Sequence, residues 1–173
     1  MPSVLFVCTA NRYRSPLAAA IFKKMLEEVG DGTADSWIVR DSDDWRVGSA
    51  GTWAISGELV LPVVSDVAQR LGIDLADHRS ARVSGQLLAE YDLILVMQAS
   101  HREALQIEFP SLGDHIYLLS HVIERGSYDI LDSLGSEQEV MDTVLEMTIL
   151  IQRGLRYICV LATALHNQRN RTK

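Results

Sequence analysis

The stretch "SVLFVCTANRYRSPLAAAIF", residues 3–22, constrains the fold more than any other part of the chain. Val4–Val7 is a short run of β-branched and aromatic residues without polar alternation, the pattern of a strand buried on both faces. Such a strand needs cover on both sides, so helices must follow it. Ser15 is a natural N-cap, and Pro16 suits a first helical turn because its missing N–H would be unpaired there in any case. Leu17, Ala20, Ile21, Met25 and Val29 then recur at helical spacing, and Gly30 can end the helix. The order buried strand, polar loop, helix predicts a βα unit of a parallel sheet.

The rest of the chain repeats that alternation. Residues 30–46 are acidic and turn-rich, with a trace of strand around Ile38 and Val39, and "VGSAGT" reads as a strand end entering a tight turn. A helix is expected over 62–71, with Val63, Val67 and Leu71 on one side and Gly72 as its stop, and a short helix over 84–90. "YDLILVM" is the clearest central strand, Ser100–Ile107 reads as helix, and "HIYLL" as a short strand. A long helical pattern runs from Glu137 to about Ala164, bent near Gly154. Strands alternating with helices predict an α/β fold with helices on both faces and ligands at the C-terminal ends of the strands.

Composition narrows the partners. The chain has 173 residues and a net charge of -7, which fits one globular domain and leaves no broad cationic surface for nucleic acid or an anionic membrane. The expectation is a cytoplasmic protein, with neither a charged leader nor a membrane-spanning run. "HNQRNRTK", residues 166–173, is expected to be a frayed basic tail outside a domain of residues 1–165. Cys8 and Cys159 form no metal-ligand or disulfide pattern, so neither metal nor other cofactor is expected.

Chemistry concentrates in "CTANRYRS", residues 8–15. A cysteine between a strand and a helix start lies near the positive end of the helix dipole and its unpaired N–H groups, which favours thiolate over thiol. The same N–H groups cradle an anion, and Arg14 adds a planar fork of donors matched to phosphate oxygens. A thiolate and an anion sharing one cup suit attack of sulfur on a phosphoryl group. The bland alternative is a small buried hydrophobe at a strand end.

"VLFVCTANRYRSP" resembles the C-x5-R-S signature of the low-molecular-weight protein tyrosine phosphatases, and the likeness continues through "SAGT" (49–52), "LGIDLADHRSAR" (71–82), "YDLILVM" (91–97) and "DILDSLG" (129–135). The resemblance implies a single domain with a four-stranded parallel sheet and metal-free, two-step hydrolysis. By position it makes Cys8 the nucleophile, Arg14 the phosphate clamp and Ser15 the hydrogen-bond donor to sulfur. Thr9, Ala10, Asn11, Arg12 and Tyr13 complete the phosphate loop, with Asn11, Ser49 and His78 shaping it. Asp132 falls at the place of the general acid, although Ser133 stands where the family has proline, and Asp129 is the fallback. Asp132 also reads as an ordinary capping or turn residue, and losing the proline should loosen its loop.

The loop departs from the family pattern at three positions. Ala10 replaces a common glycine, at a cost of about 1 kcal/mol if positive φ is required there. Tyr13 replaces a second cysteine, which leaves Cys8 without a local disulfide partner against overoxidation. Arg12 stands where the tyrosine phosphatases carry an aliphatic residue and the related arginine phosphatases a threonine, and the plain alternative for it is a solvated rim side chain. Trp45 and Trp53 are candidates for an aromatic wall, and His101 is assigned to a helix start or the surface. The expected substrates are phosphotyrosine in proteins or small aryl phosphate monoesters, with inorganic phosphate as product. Protein arginine phosphatase and a non-catalytic phosphate-binding module are the alternatives, and arsenate reduction is disfavoured because it needs more thiols.

Overall fold

The computed structural model describes residues 1–30, 44–124 and 128–171. Four parallel strands, β1 (Ser3–Cys8), β2 (Arg46–Gly51), β3 (Leu93–Val96) and β4 (Ile116–Leu118), form one sheet in the order β2-β1-β3-β4. β1 and β3 are neighbours whose onward connections run in opposite directions, to β2 on one side and to β4 on the other. The loop that follows β1 therefore opens at the crevice where α/β folds bind their ligands.

Alternation along β1 divides the core. Val4, Phe6 and Cys8 face one apolar layer, while Leu5 and Val7 face the other. The first layer is built from helices α1 (Arg14–Gly30), α2 (Pro62–Arg70), α5 (Leu119–Glu124) and α6 (Glu137–Arg171). The second is covered by α3 (Gly85–Ala89) and α4 (Ala99–Glu108), through Leu88 and Leu105. Every residue of β1 is buried, as its unbroken apolar run requires.

Several local expectations are corrected. Helix α1 starts at Arg14, so Ser15 lies inside the first turn rather than capping it, and its hydroxyl is drawn into the loop. Helix α2 buries Val64, Val67 and Ala68 most deeply, with Val63 and Leu71 half-buried against the same core, and Gly72 follows it at φ 68. Helix α6 runs unbroken through Gly154, where α5 comes so close that a Cβ would collide with Ile123. The glycine serves close packing there, not a bend.

The supposed tail from residue 166 continues α6 to Arg171. His166 Nδ1 and Arg169 Nη1 lie 3.1 and 3.3 Å from the buried Asp92 carboxylate, which also accepts from Ser3 Oγ at 2.8 Å. A buried carboxylate demands partners, and the basic end of α6 provides them. One window of α6 is also long and apolar enough to cross a membrane, against expectation, yet Val140, Val144, Met147, Ile151 and Ile158 of this helix lie in the core. The acidic segment around Ile38 and Val39 falls outside the described residues.

Candidate active site

β1 delivers Cys8 to the carboxyl edge of the sheet, and the chain then wraps from Thr9 to Tyr13 before α1 begins. Among the described residues, Asn11 is the one non-glycine with positive φ, at 56°. Asparagine tolerates that region because its side chain bonds locally. Ala10 is not in that conformation, so the condition under which its Cβ would carry a cost is not met.

Asn11 organises the loop. Its side-chain amide nitrogen donates to Ser15 Oγ (2.8 Å) and Ser49 Oγ (2.9 Å), and its Oδ1 accepts from the Ala81 amide (2.8 Å). His78 Nε2 sits 2.8 Å from the Asn11 carbonyl. A carbonyl can only accept, so that nitrogen carries the proton, and burial lowers the pKa of His78 toward the neutral ring. Three more loop carbonyls are taken from outside: Cys8 by Thr52, Thr9 by Trp53 and Arg12 by Leu61. Gly51 packs under this wrap so tightly that a Cβ would lie 2.9 Å from the Asn11 amide nitrogen.

Inside the loop, Cys8 Sγ lies 3.0 Å from Ser15 Oγ, whose one proton goes to the Ala50 carbonyl at 3.1 Å. Arg14 is 1% exposed, one of the largest buried side chains. Its Nη1 donates to the Ile130 carbonyl and its Nη2 to Asp132 Oδ2, both at 2.9 Å, while its Nε is buried with no partner among the described residues. A buried donor without an acceptor is costly. Arg14 thus joins the loop to Asp132, 118 residues away.

Asp129 is used differently from Asp132. Its Oδ1 accepts from the Ala99 amide at 2.8 Å, at the first residue of α4. Arg12 donates from Nε to the Leu59 carbonyl at 2.7 Å and pairs with Glu58 at 3.4 Å, so it ties the rim together instead of waving in solvent. Trp53 is 76% exposed on that rim, with the Arg82 guanidinium 5.8 Å from its ring centroid. Trp45 belongs instead to the core, edge-on to Phe22.

For His101 the sequence predicts a helix start or the surface. It does lie in the first turn of α4, but it is buried, with Nε2 2.9 Å from Thr9 Oγ1. The same hydroxyl accepts from Arg14 Nη2 at 3.3 Å. Burial, assisted by the Arg14 charge, lowers the pKa of His101 to about 4 against the opposing pull of Asp129 and Asp132. The sequence held one clue: "MQASH" follows the central strand β3 and so places His101 at the edge of the sheet where the loop sits.

The family model for low molecular weight phosphotyrosine protein phosphatase matches residues 3–157. The chain belongs to this family. It is 31% identical over 153 residues to the probable low molecular weight protein-tyrosine-phosphatase EpsP of Ralstonia nicotianae, covering 88% of this chain and 90% of that one. Similarity to the protein-arginine-phosphatase of Bacillus subtilis is 27% identity over 137 residues, covering 79% and 83%. Among solved structures, the low molecular weight protein tyrosine phosphatase from T. tengcongensis superposes with a TM-score of 0.77 at 30% identity, covering 88% of this chain and 97% of that one. Membership in a family of phosphatases is thus established together with the single α/β architecture.

Proposed function

We propose that this chain hydrolyses phosphotyrosine in proteins or small aryl phosphate monoesters through a phosphocysteine intermediate. The carrying observation is Cys8 Sγ, 3.0 Å from Ser15 Oγ, in a loop whose arginine is buried with an unpartnered Nε. With the carbonyls of Cys8, Thr9, Asn11 and Arg12 engaged outside, the loop has its amides left to offer an oxyanion. Arg14 Nε and Nη2 supply a two-pronged clamp on the phosphoryl oxygens.

In the first step the Cys8 thiolate attacks phosphorus, the S–P bond forms and the P–O bond to the leaving group breaks. As the phosphoryl group takes Nη2 of Arg14, Asp132 is released from its ion pair and takes up a proton from solvent, and the carboxyl so formed gives that proton to the departing oxygen. In the second step Asp132 takes a proton from water, whose oxygen attacks phosphorus while sulfur leaves. The Ser15 hydroxyl, 3.0 Å away, turns its one proton from the Ala50 carbonyl to that sulfur, which makes it a better leaving group. Asp129, occupied at the start of α4, is not needed as the acid.

The donor set is complete without a metal: cationic Arg14, amides and a hydroxyl meet the phosphate charge. Cys159 adds no second redox thiol to the site, because it is buried in α6 and burial pushes its pKa up to about 12. The expected product is inorganic phosphate, the expected partner a phosphorylated protein or small monoester, and the expected compartment the cytoplasm.

The test is turnover of p-nitrophenyl phosphate without added metal. The native protein is expected to turn over and to release phosphate, and Cys8→Ser to lose activity by at least about 10⁴-fold. Phosphate binding without turnover in the native protein would mean a non-catalytic module. Parallel assays on phosphotyrosine and phosphoarginine peptides decide between the tyrosine reading and the arginine one.

A further inference from the structure

Asp132 lies in a segment, residues 128–134, without regular secondary structure. Its fastenings on the N-terminal side are firm. Asp129 accepts from the Ala99 amide, the Ile130 amide donates to the Met97 carbonyl at 2.9 Å, and the Ile130 carbonyl accepts from Arg14 Nη1. Beyond these, Asp132 itself is held by Arg14 Nη2. That last tie is the one a phosphoryl group would take over, so the carboxyl would be released when its position matters most.

On the C-terminal side stands Tyr13, a buried residue of the phosphate loop. Its phenol donates to the carbonyl of Ser133, the residue directly after Asp132, at 3.2 Å. We propose that Tyr13 is a positioning residue for the general acid: its phenol holds the Ser133 carbonyl so that Asp132 keeps its place over the leaving oxygen once Arg14 has turned to phosphate. The inference rests on the reading of Asp132 as the acid. Backbone fastened at Ile130 and at Ser133 leaves two residues between the anchors, which fixes the intervening carboxyl better than a one-ended loop does. Burial is the main cause that pushes the Tyr13 pKa up, so the phenol keeps its proton and remains a donor in the neutral range. Ser133, which lacks proline's ring, gives the loop no restriction of its own at this point, and Tyr13 supplies one from outside.

The experiment measures kcat/KM for Tyr13→Phe and Asp132→Asn over a series of aryl phosphates, from p-nitrophenyl phosphate to phenyl phosphate. A general acid matters most for the basic phenol, and kcat/KM reports the first chemical step. Tyr13→Phe is expected to lose about tenfold with phenyl phosphate and less than about threefold with p-nitrophenyl phosphate, a milder copy of the Asp132→Asn pattern. The double variant should be no worse than Asp132→Asn, and competitive inhibition by inorganic phosphate should stay within about twofold. A loss from Tyr13→Phe that is equal across the series, or no loss, overturns the positioning role while a steep Asp132→Asn series keeps the acid. A flat Asp132→Asn series removes the acid reading and this inference with it. Melting temperatures of both variants separate loss of fold from loss of position.

Discussion

His101 should make the protein acid-sensitive by an amount the structure sets. The imidazole is buried at the start of α4 against Thr9, with Arg14 close enough to oppose its protonation, and its pKa falls from 6.5 to about 4. The folded pKa is depressed below the unfolded one, so between these values the unfolded chain binds more protons and stability rises with pH. Stability from this group is therefore complete above pH 6.5 and is lost as pH falls toward about 4. At about 1.4 kcal/mol per pH unit, the full descent amounts to about 3 kcal/mol. Carboxylates also titrate on the way down, so the variant His101→Asn is needed to isolate the term. Urea unfolding of both proteins at half-unit steps from pH 4 to 8 gives the difference in free energy. That difference should be flat above pH 6.5 and should move by about 3 kcal/mol in favour of the variant by pH 4. A difference that does not change with pH would refute the reasoning, because it would mean that His101 charges as easily in the folded protein as in the unfolded one.

Two further outcomes follow from packing. Gly51→Ala would press a Cβ against the Thr9, Ala10 and Asn11 backbone, so kcat/KM on p-nitrophenyl phosphate should fall by about 100-fold or more, with about 1–3 kcal/mol lost in urea unfolding. Asp92→Ala removes the acceptor shared by Ser3, His166 and Arg169 at the opposite edge of the sheet. Chemical denaturation should show about 3 kcal/mol of destabilisation, while turnover at saturating substrate stays within about twofold.

The sequence alone determined the βα alternation and the contents of the loop after β1, because both are local. An unbroken apolar run, a polar turn and helical spacing specify strand, loop and helix within thirty residues, and Cys8, Asn11, Arg14 and Ser15 share one wrap of chain. Motif order extended that reading to Ser49, His78 and Asp132, and to a four-stranded parallel sheet. What lay hidden were contacts between residues far apart in the chain. The pairs Thr9 with His101, Tyr13 with Ser133, and Asp92 with Ser3 and His166 are separated by 74 to 120 positions, and no periodicity connects them. The same distance explains the mistaken tail, since residues 166–171 read as polar and frayed until a buried carboxylate is found waiting for them. Local pattern fixes which residues stand in the loop; tertiary packing decides which distant side chains complete their hydrogen bonds, because burial leaves a polar group only the partners that the fold brings to it.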